Sequence, residues 1–133
     1  MKVLVTGANG YIGQYVVKAL LDKNIDVIAV DLNENYIDKR AVVMKTDIFA
    51  GNKELYRIFG CPDVCIHLAW QDGFIHNSDK HIQMLYKHYE FLKNLIDSGL
   101  KNINVMGTMH EVGYFEGEVK EDTPSATACK NPI

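Results

Sequence analysis

The chain has 133 residues, 47% apolar and 23% charged. That is enough to bury one core, and it argues against both a disordered chain and a membrane class. The net charge is −3 and the basic residues are scattered rather than gathered into a stripe, which argues against nucleic acid as a partner. No apolar run is long enough to span a bilayer. The N-terminus enters a strand almost at once and leaves no room for a secretion leader, so a cytoplasmic location is expected. The three cysteines, Cys61, Cys65 and Cys129, are odd in number and lack C-x-x-C spacing, so they are expected to be free thiols.

In chain order, Val3-Leu4-Val5-Thr6 is a short apolar strand. The glycine-rich turn Gly7-Ala8-Asn9-Gly10-Tyr11-Ile12-Gly13 leads at once into a helix over residues 12–22, with Ile12, Val16, Ala19 and Leu20 on one face. Residues 25–30 are near-continuously apolar, as suits a parallel strand covered on both faces, and end in Asp31. A loop or short helix over residues 33–40 precedes a third strand over 41–45, which ends near Asp47. A short helix around residues 52–59 and a fourth strand over 64–68 follow. A long amphipathic helix is expected over residues 79–97, with Ser78 or Asn77 as N-cap and Gly99 beyond its end. Its apolar positions at helical spacing are Ile82, Leu85, Tyr86, Tyr89, Leu92 and Ile96. A fifth strand over 102–106 ends at Gly107-Thr108, and from Gly113 onward the pattern fades into loop. This alternation predicts one α/β domain over residues 1–133, a Rossmann-type doubly wound parallel sheet of about five strands in the order 3-2-1-4-5.

The first turn makes a phosphate cradle. Gly7 permits the tight exit from the strand, Gly10 keeps a side chain out from between backbone and pyrophosphate, and Gly13 lets the helix lie close on the sheet. The helix then aims its free N–H groups at the phosphates. The spacing is Gly-x-x-Gly-x-x-Gly preceded by Thr6, and it resembles the short-chain dehydrogenase/reductase superfamily. Asp31, at the end of the second strand, stands where a carboxylate accepts from the adenosine ribose and repels a 2′-phosphate, which favours NAD over NADP. An aspartate capping a turn is the alternative reading.

Further along, the chain resembles the N-terminal part of the extended members of that superfamily, the NAD-dependent epimerase/dehydratase family acting on nucleotide sugars. Asp47-Ile48 looks like the family's pair at the adenine ring. Asp63-Val64-Cys65-Ile66-His67-Leu68-Ala69-Trp70 is similar to its D-V-V-I-H-L-A-A strand, whose end borders the cofactor. The resemblance implies cofactor contacts at Gly7, Asn9, Gly10, Tyr11, Ile12, Gly13, Asp31, Asp47, Ile48, Leu68, Ala69 and Trp70. His67 reads as a structural histidine rather than a proton donor. Thr108 matches the family's Ser or Thr that hydrogen-bonds the reacting sugar oxygen, which makes it the catalytic candidate. His110 and Glu111 resemble an M-H-E variant and either line the sugar site or belong to a solvated loop.

The family's Tyr-x-x-x-Lys is matched in letters only by Tyr89 and Lys93, upstream of Thr108, so these read as a core or interface residue and a solvated lysine. The run before Ile133 resembles the stretch preceding the family's tyrosine. The chain is therefore expected to be a fragment, inactive alone and lacking the substrate domain. His76, His81 and His88 lack metal-ligand spacing, and no metal is expected. Trp70, Phe74 and the tyrosines, without a basic groove, read as packing or as a wall on the nicotinamide side rather than as a stacking platform. Homo-oligomerisation is expected through the 79–97 helix or the exposed sheet edge. The function implied is NAD(H) binding within an enzyme that transfers hydride at a sugar carbon. The alternatives are a non-catalytic dinucleotide-binding regulatory module or a reductase of a non-sugar ketone.

Overall fold

The computed structural model describes residues 1–107 and 117–123. Its strands are β1 (Lys2–Thr6), β2 (Asp26–Asp31), β3 (Val42–Lys45), β4 (Val64–His67) and β5 (Asn102–Val105), and its helices are α1 (Tyr11–Asp22), α2 (Leu55–Ile58) and α3 (Lys80–Asp97). The strands form one parallel sheet in the order β3-β2-β1-β4-β5, as the alternation of elements predicts. Successive side chains of a strand point to opposite faces, and here both faces are covered. Val3, Val5, Val27 and Ala29 pack with Val17 of α1 on one side, while Leu4, Ile28, Val30 and Cys65 pack with Leu55, Phe91 and Leu95 on the other. Burial on both faces is why these strands read as continuous apolar runs. Each fully buried Val or Leu contributes about 1.5–3 kcal/mol of transfer free energy.

Element ends follow local chemistry. Asn24 takes a left-handed φ of 58° after α1, where its N–H reaches Leu21 O and the Ile25 N–H reaches Leu20 O. α2 is shorter than expected because Asn52 Oδ1 accepts from the Glu54 N–H and holds the preceding segment in a turn. Residues 33–40 form turns rather than a helix, with the Ile37 N–H on Glu34 O and the Ala41 N–H on Asp38 O. The N-cap of α3 is Asp79, not Ser78 or Asn77, although Ser78 Oγ accepts from the Lys80 N–H at 3.2 Å.

Two helix faces differ from expectation. On α1 the buried positions are Gly13 and Val17, while Ile12 is exposed. The close approach of Gly13 to the glycine turn sets the azimuth of the helix. On α3 the buried stripe is Met84, His88, Phe91 and Leu95, whereas Ile82, Leu85, Tyr86, Tyr89 and Ile96 are exposed. A histidine belongs to the buried stripe because β4 supplies it with a partner.

Candidate functional site

The site is built at the C-terminal ends of β1, β2, β3 and β4. Gly7 leaves β1 with φ +69°, and a Cβ there would stand 2.6 Å from Ala69 N, in collision with the backbone that leaves β4. A Cβ on Gly13 would lie 2.1 Å from Gly7 O, so only glycine lets α1 lie this close to the turn. Gly10 differs from both: its φ is −70°, it is the N-cap of α1 with no side-chain cap, and a Cβ would meet nothing but Gly7 O at 3.2 Å. The first-turn N–H groups of α1 are therefore presented without a protein cap among the described residues.

Asp31 ties this turn to β2. Its Oδ2 accepts from the Asn9 N–H at 3.0 Å, and its Oδ1 accepts from the Leu32 and Asn33 N–H groups at 2.7 and 3.2 Å. The carboxylate thus caps its own turn, as the alternative reading has it, and also stands on the cavity wall. Asn9 Oδ1 in turn accepts from the Tyr36 N–H at 2.8 Å. Asp47 is fixed in the same manner, its Oδ1 accepting from the Phe49 N–H at 2.9 Å.

A solvent-open cavity of about 470 Å³ runs along this edge, within the range of small-molecule and cofactor sites. Of the residues singled out from the sequence, Gly7, Asn9, Gly10, Asp31, Asp47, Ile48, Leu68, Ala69 and Trp70 line it. Tyr11, Ile12 and Gly13 do not, and the Tyr11 side chain lies edge-on to Tyr15 instead. Thr108, His110 and Glu111 lie outside the described residues, as does Cys129. Sequence reasoning missed the opposite wall, formed by Lys80, Met84 and Lys87 of α3 together with Phe49. Their spacing on α3 puts them on one face, but which face meets the cavity depends on how the helix docks. A second cavity of about 450 Å³ between α3 and the segment before α2 shares Ile48, Phe49 and Lys87 with the first.

Behind the cavity lies a buried polar chain. Thr6 Oγ1 is 2.7 Å from His67 Nδ1, and His67 Nε2 is 2.8 Å from His88 Nδ1. His88 Nε2 is buried with no hydrogen-bond partner. Burial, helped by the neighbouring His88, pushes the His67 imidazole down to about 4, and burial also lowers His88. Both rings are thus kept neutral near pH 7, as befits a structural pair rather than an acid catalyst. Burial pushes the Cys65 thiol up to about 12, which leaves it unreactive, while Cys61 is exposed; neither forms a disulfide among the described residues.

Residues 3–131 match the NAD dependent epimerase/dehydratase family. The chain is 43% identical over 129 residues to dTDP-6-deoxy-L-talose 4-dehydrogenase (NAD(+)) of Aggregatibacter actinomycetemcomitans, an alignment covering 93% of this chain and 47% of that one. The chain therefore spans about half the length of this curated relative. Among solved structures it is similar to UDP-glucose 4-epimerase from Bifidobacterium longum in complex with NAD+ and UDP, with TM-score 0.76, 26% identity and coverage of 95% of this chain and 43% of that chain. The fold is also that of the Thermus thermophilus UDP-glucose 4-epimerase in complex with NAD, with TM-score 0.73, 24% identity and coverage of 100% of this chain and 44% of that chain.

Proposed function

Because the chain belongs to the NAD dependent epimerase/dehydratase family, we propose that it is the NAD(H)-binding part of a nucleotide-sugar epimerase, dehydratase or reductase that transfers hydride at a sugar carbon. The likeness to a dTDP-sugar 4-dehydrogenase favours interconversion of an alcohol and a ketone on a nucleotide-linked 6-deoxy sugar. The observation that carries the reading is the glycine turn: two of its glycines are required by packing, and the third, Gly10, borders the cavity with space on its open side. An uncapped helix N-terminus beside such a gap fits a pyrophosphate.

In this reading Gly7, Asn9, Gly10 and the first-turn amides of Tyr11, Ile12 and Gly13 hold the phosphates. Asp31 accepts from the adenosine ribose and opposes a 2′-phosphate. Asp47 and Ile48 border the adenine, and Leu68, Ala69 and Trp70 close the β4 side. When bound, the cofactor supplies the hydride acceptor and donor. Thr108 orients the reacting sugar oxygen, while His110 and Glu111 face the sugar. Tyr89 and Lys93 do not supply the proton carrier: Tyr89 is exposed on the outer face of α3, and Lys93 pairs with Asp97. The 133-residue chain accordingly binds cofactor without turnover. Its partner is a nucleotide sugar, its place is the cytoplasm, and its copies associate through the outer face of α3 or the β5 edge. No helix among the described residues is long and apolar enough to cross a membrane.

Calorimetric titration with NAD+ and NADP+ tests the reading. NAD+ is expected to bind at least about ten-fold tighter, the scale of one unfavourable charge contact at a site of this kind, and Asp31→Ala is expected to narrow the gap. Tighter NADP+ binding, or a preference untouched by Asp31→Ala, contradicts it.

A further inference from the structure

The second cavity, about 450 Å³ between α3 and the turn that precedes α2, is large enough for a small ligand and shares Ile48, Phe49 and Lys87 with the first. Some of its charges are already answered: Lys93 pairs with Asp97, and Glu90 accepts from the Tyr86 hydroxyl. Lys53 on the turn and Lys87 on α3 have no carboxylate partner among the described residues. Two unpaired ammonium groups on facing walls favour an anion, and a phosphate offers acceptor oxygens to both. The remaining wall suits a body rich in hydroxyls. Asn52 Oδ1 is taken by the Glu54 N–H at 2.9 Å, which leaves its Nδ2 to donate. Asn94 Nδ2 donates to the Asn52 carbonyl oxygen at 3.3 Å, which ties the turn to the helix and leaves Asn94 Oδ1 to accept. Tyr86 and Tyr89, with ring centroids 6.4 Å apart, add flat apolar faces of the kind that the C–H face of a sugar ring covers.

We propose that this second cavity is an effector site for a phosphorylated sugar, coupled to the dinucleotide cavity through Lys87. The site stands on its own residues, and the coupling rests on the cofactor reading above. Lys87 lines both cavities, and one ammonium group serves one of them at a time. An anion that holds Lys87 on the α2 side withdraws a positive charge from the cavity that takes the dinucleotide phosphates. Each ligand therefore weakens the other, by the same factor in both directions.

The isotope-labelled 133-residue chain is titrated with glucose 6-phosphate, glucose and inorganic phosphate, each followed by amide chemical shifts. NAD+ is titrated by calorimetry with and without saturating glucose 6-phosphate. Glucose 6-phosphate is expected to shift Gly51, Lys53 and Asn94 saturably and to bind at least about five-fold tighter than glucose or inorganic phosphate, the scale of one or two added polar contacts. Lys53→Gln is expected to weaken it about five-fold, the scale of one exposed charge contact, and to leave the Kd for NAD+ alone unchanged. Saturating glucose 6-phosphate is expected to weaken NAD+ to a plateau of about five-fold, the low end of coupling between sites. Lys87→Gln, at concentrations that saturate the variant, is expected to abolish that plateau. Both lysines are exposed, and circular dichroism verifies that each variant is folded. Saturable shifts at Gly7 and Gly10 in place of Gly51, Lys53 and Asn94 overturn the site, as does equal affinity for inorganic phosphate. An NAD+ affinity unmoved by glucose 6-phosphate overturns the coupling while leaving the cofactor reading standing; absence of NAD+ binding overturns the coupling together with that reading.

Discussion

Gly7 and Gly10 are both glycines of one turn, yet the structure needs them for different reasons. Gly7 combines φ +69° with a Cβ position inside the β4 backbone. Gly7→Val is expected to cost about 3 kcal/mol or more in urea unfolding, from left-handed strain plus overpacking. Gly10 has an extended backbone and one tight neighbour at 3.2 Å, so Gly10→Val is expected to cost about 1 kcal/mol or less while abolishing NAD+ binding. Unchanged affinity in the folded Gly10→Val variant would make the turn merely structural. His67 gives a second residue-level test. Its imidazole is pushed down to about 4 from the ordinary 6.5 by burial and by His88. The folded state therefore disfavours the protonated ring, and the unfolded chain takes up the proton first. The stability due to the neutral ring is complete above about pH 6.5 and is lost as pH falls toward 4, by up to about 3 kcal/mol. Urea midpoints measured across that window should fall on acidification, and His67→Asn should flatten the slope.

At the scale of elements, α3 shows why two apolar stripes in one helix are hard to rank from sequence. The set Ile82, Leu85, Tyr86, Tyr89 and Ile96 has more apolar members than Met84, His88, Phe91 and Leu95, yet the second set is the buried one. What decides it is a partner on another element: His67 of β4 receives His88. Leu95→Ala is expected to cost 2–5 kcal/mol, roughly the range for a fully buried leucine, and Leu85→Lys roughly 0.5 kcal/mol or less, both by urea unfolding. The reverse ranking would show that the outer stripe is the core. The same dependence on docking hid Lys80, Met84 and Lys87 from the sequence reading. By contrast, the glycine turn, Asp31 and the β4 end were legible, because each is a local pattern whose strand-end position fixes its place. β1 and β2 were legible for a related reason: burial on both faces leaves continuous apolar runs that no amphipathic helix imitates. Helix ends were less so, as at α2, where Asn52 diverts the chain into a turn.

For the molecule as a whole, the order β3-β2-β1-β4-β5 puts β1 and β4 side by side although the chain reaches β4 only after building β2 and β3 on the other side of β1. The direction of winding reverses there, and connections on either side leave a crevice at the C-terminal strand ends. Gly7 and Ala69 meet across that crevice, so one packing contact joins the two halves of the sheet and forms the floor of the cavity. Whether a dinucleotide lies along this edge is read most directly from backbone amide chemical shifts of the isotope-labelled protein titrated with NAD+. The largest saturable shifts are expected at Gly7 and Gly10, the first turn of α1, Asp31, Asp47, Ile48 and Trp70, with the outer face of α3 unmoved. Shifts confined to Lys53, Tyr89 and Asn94 of the neighbouring cavity, or no saturable shifts at all, would contradict a cofactor site on the glycine turn.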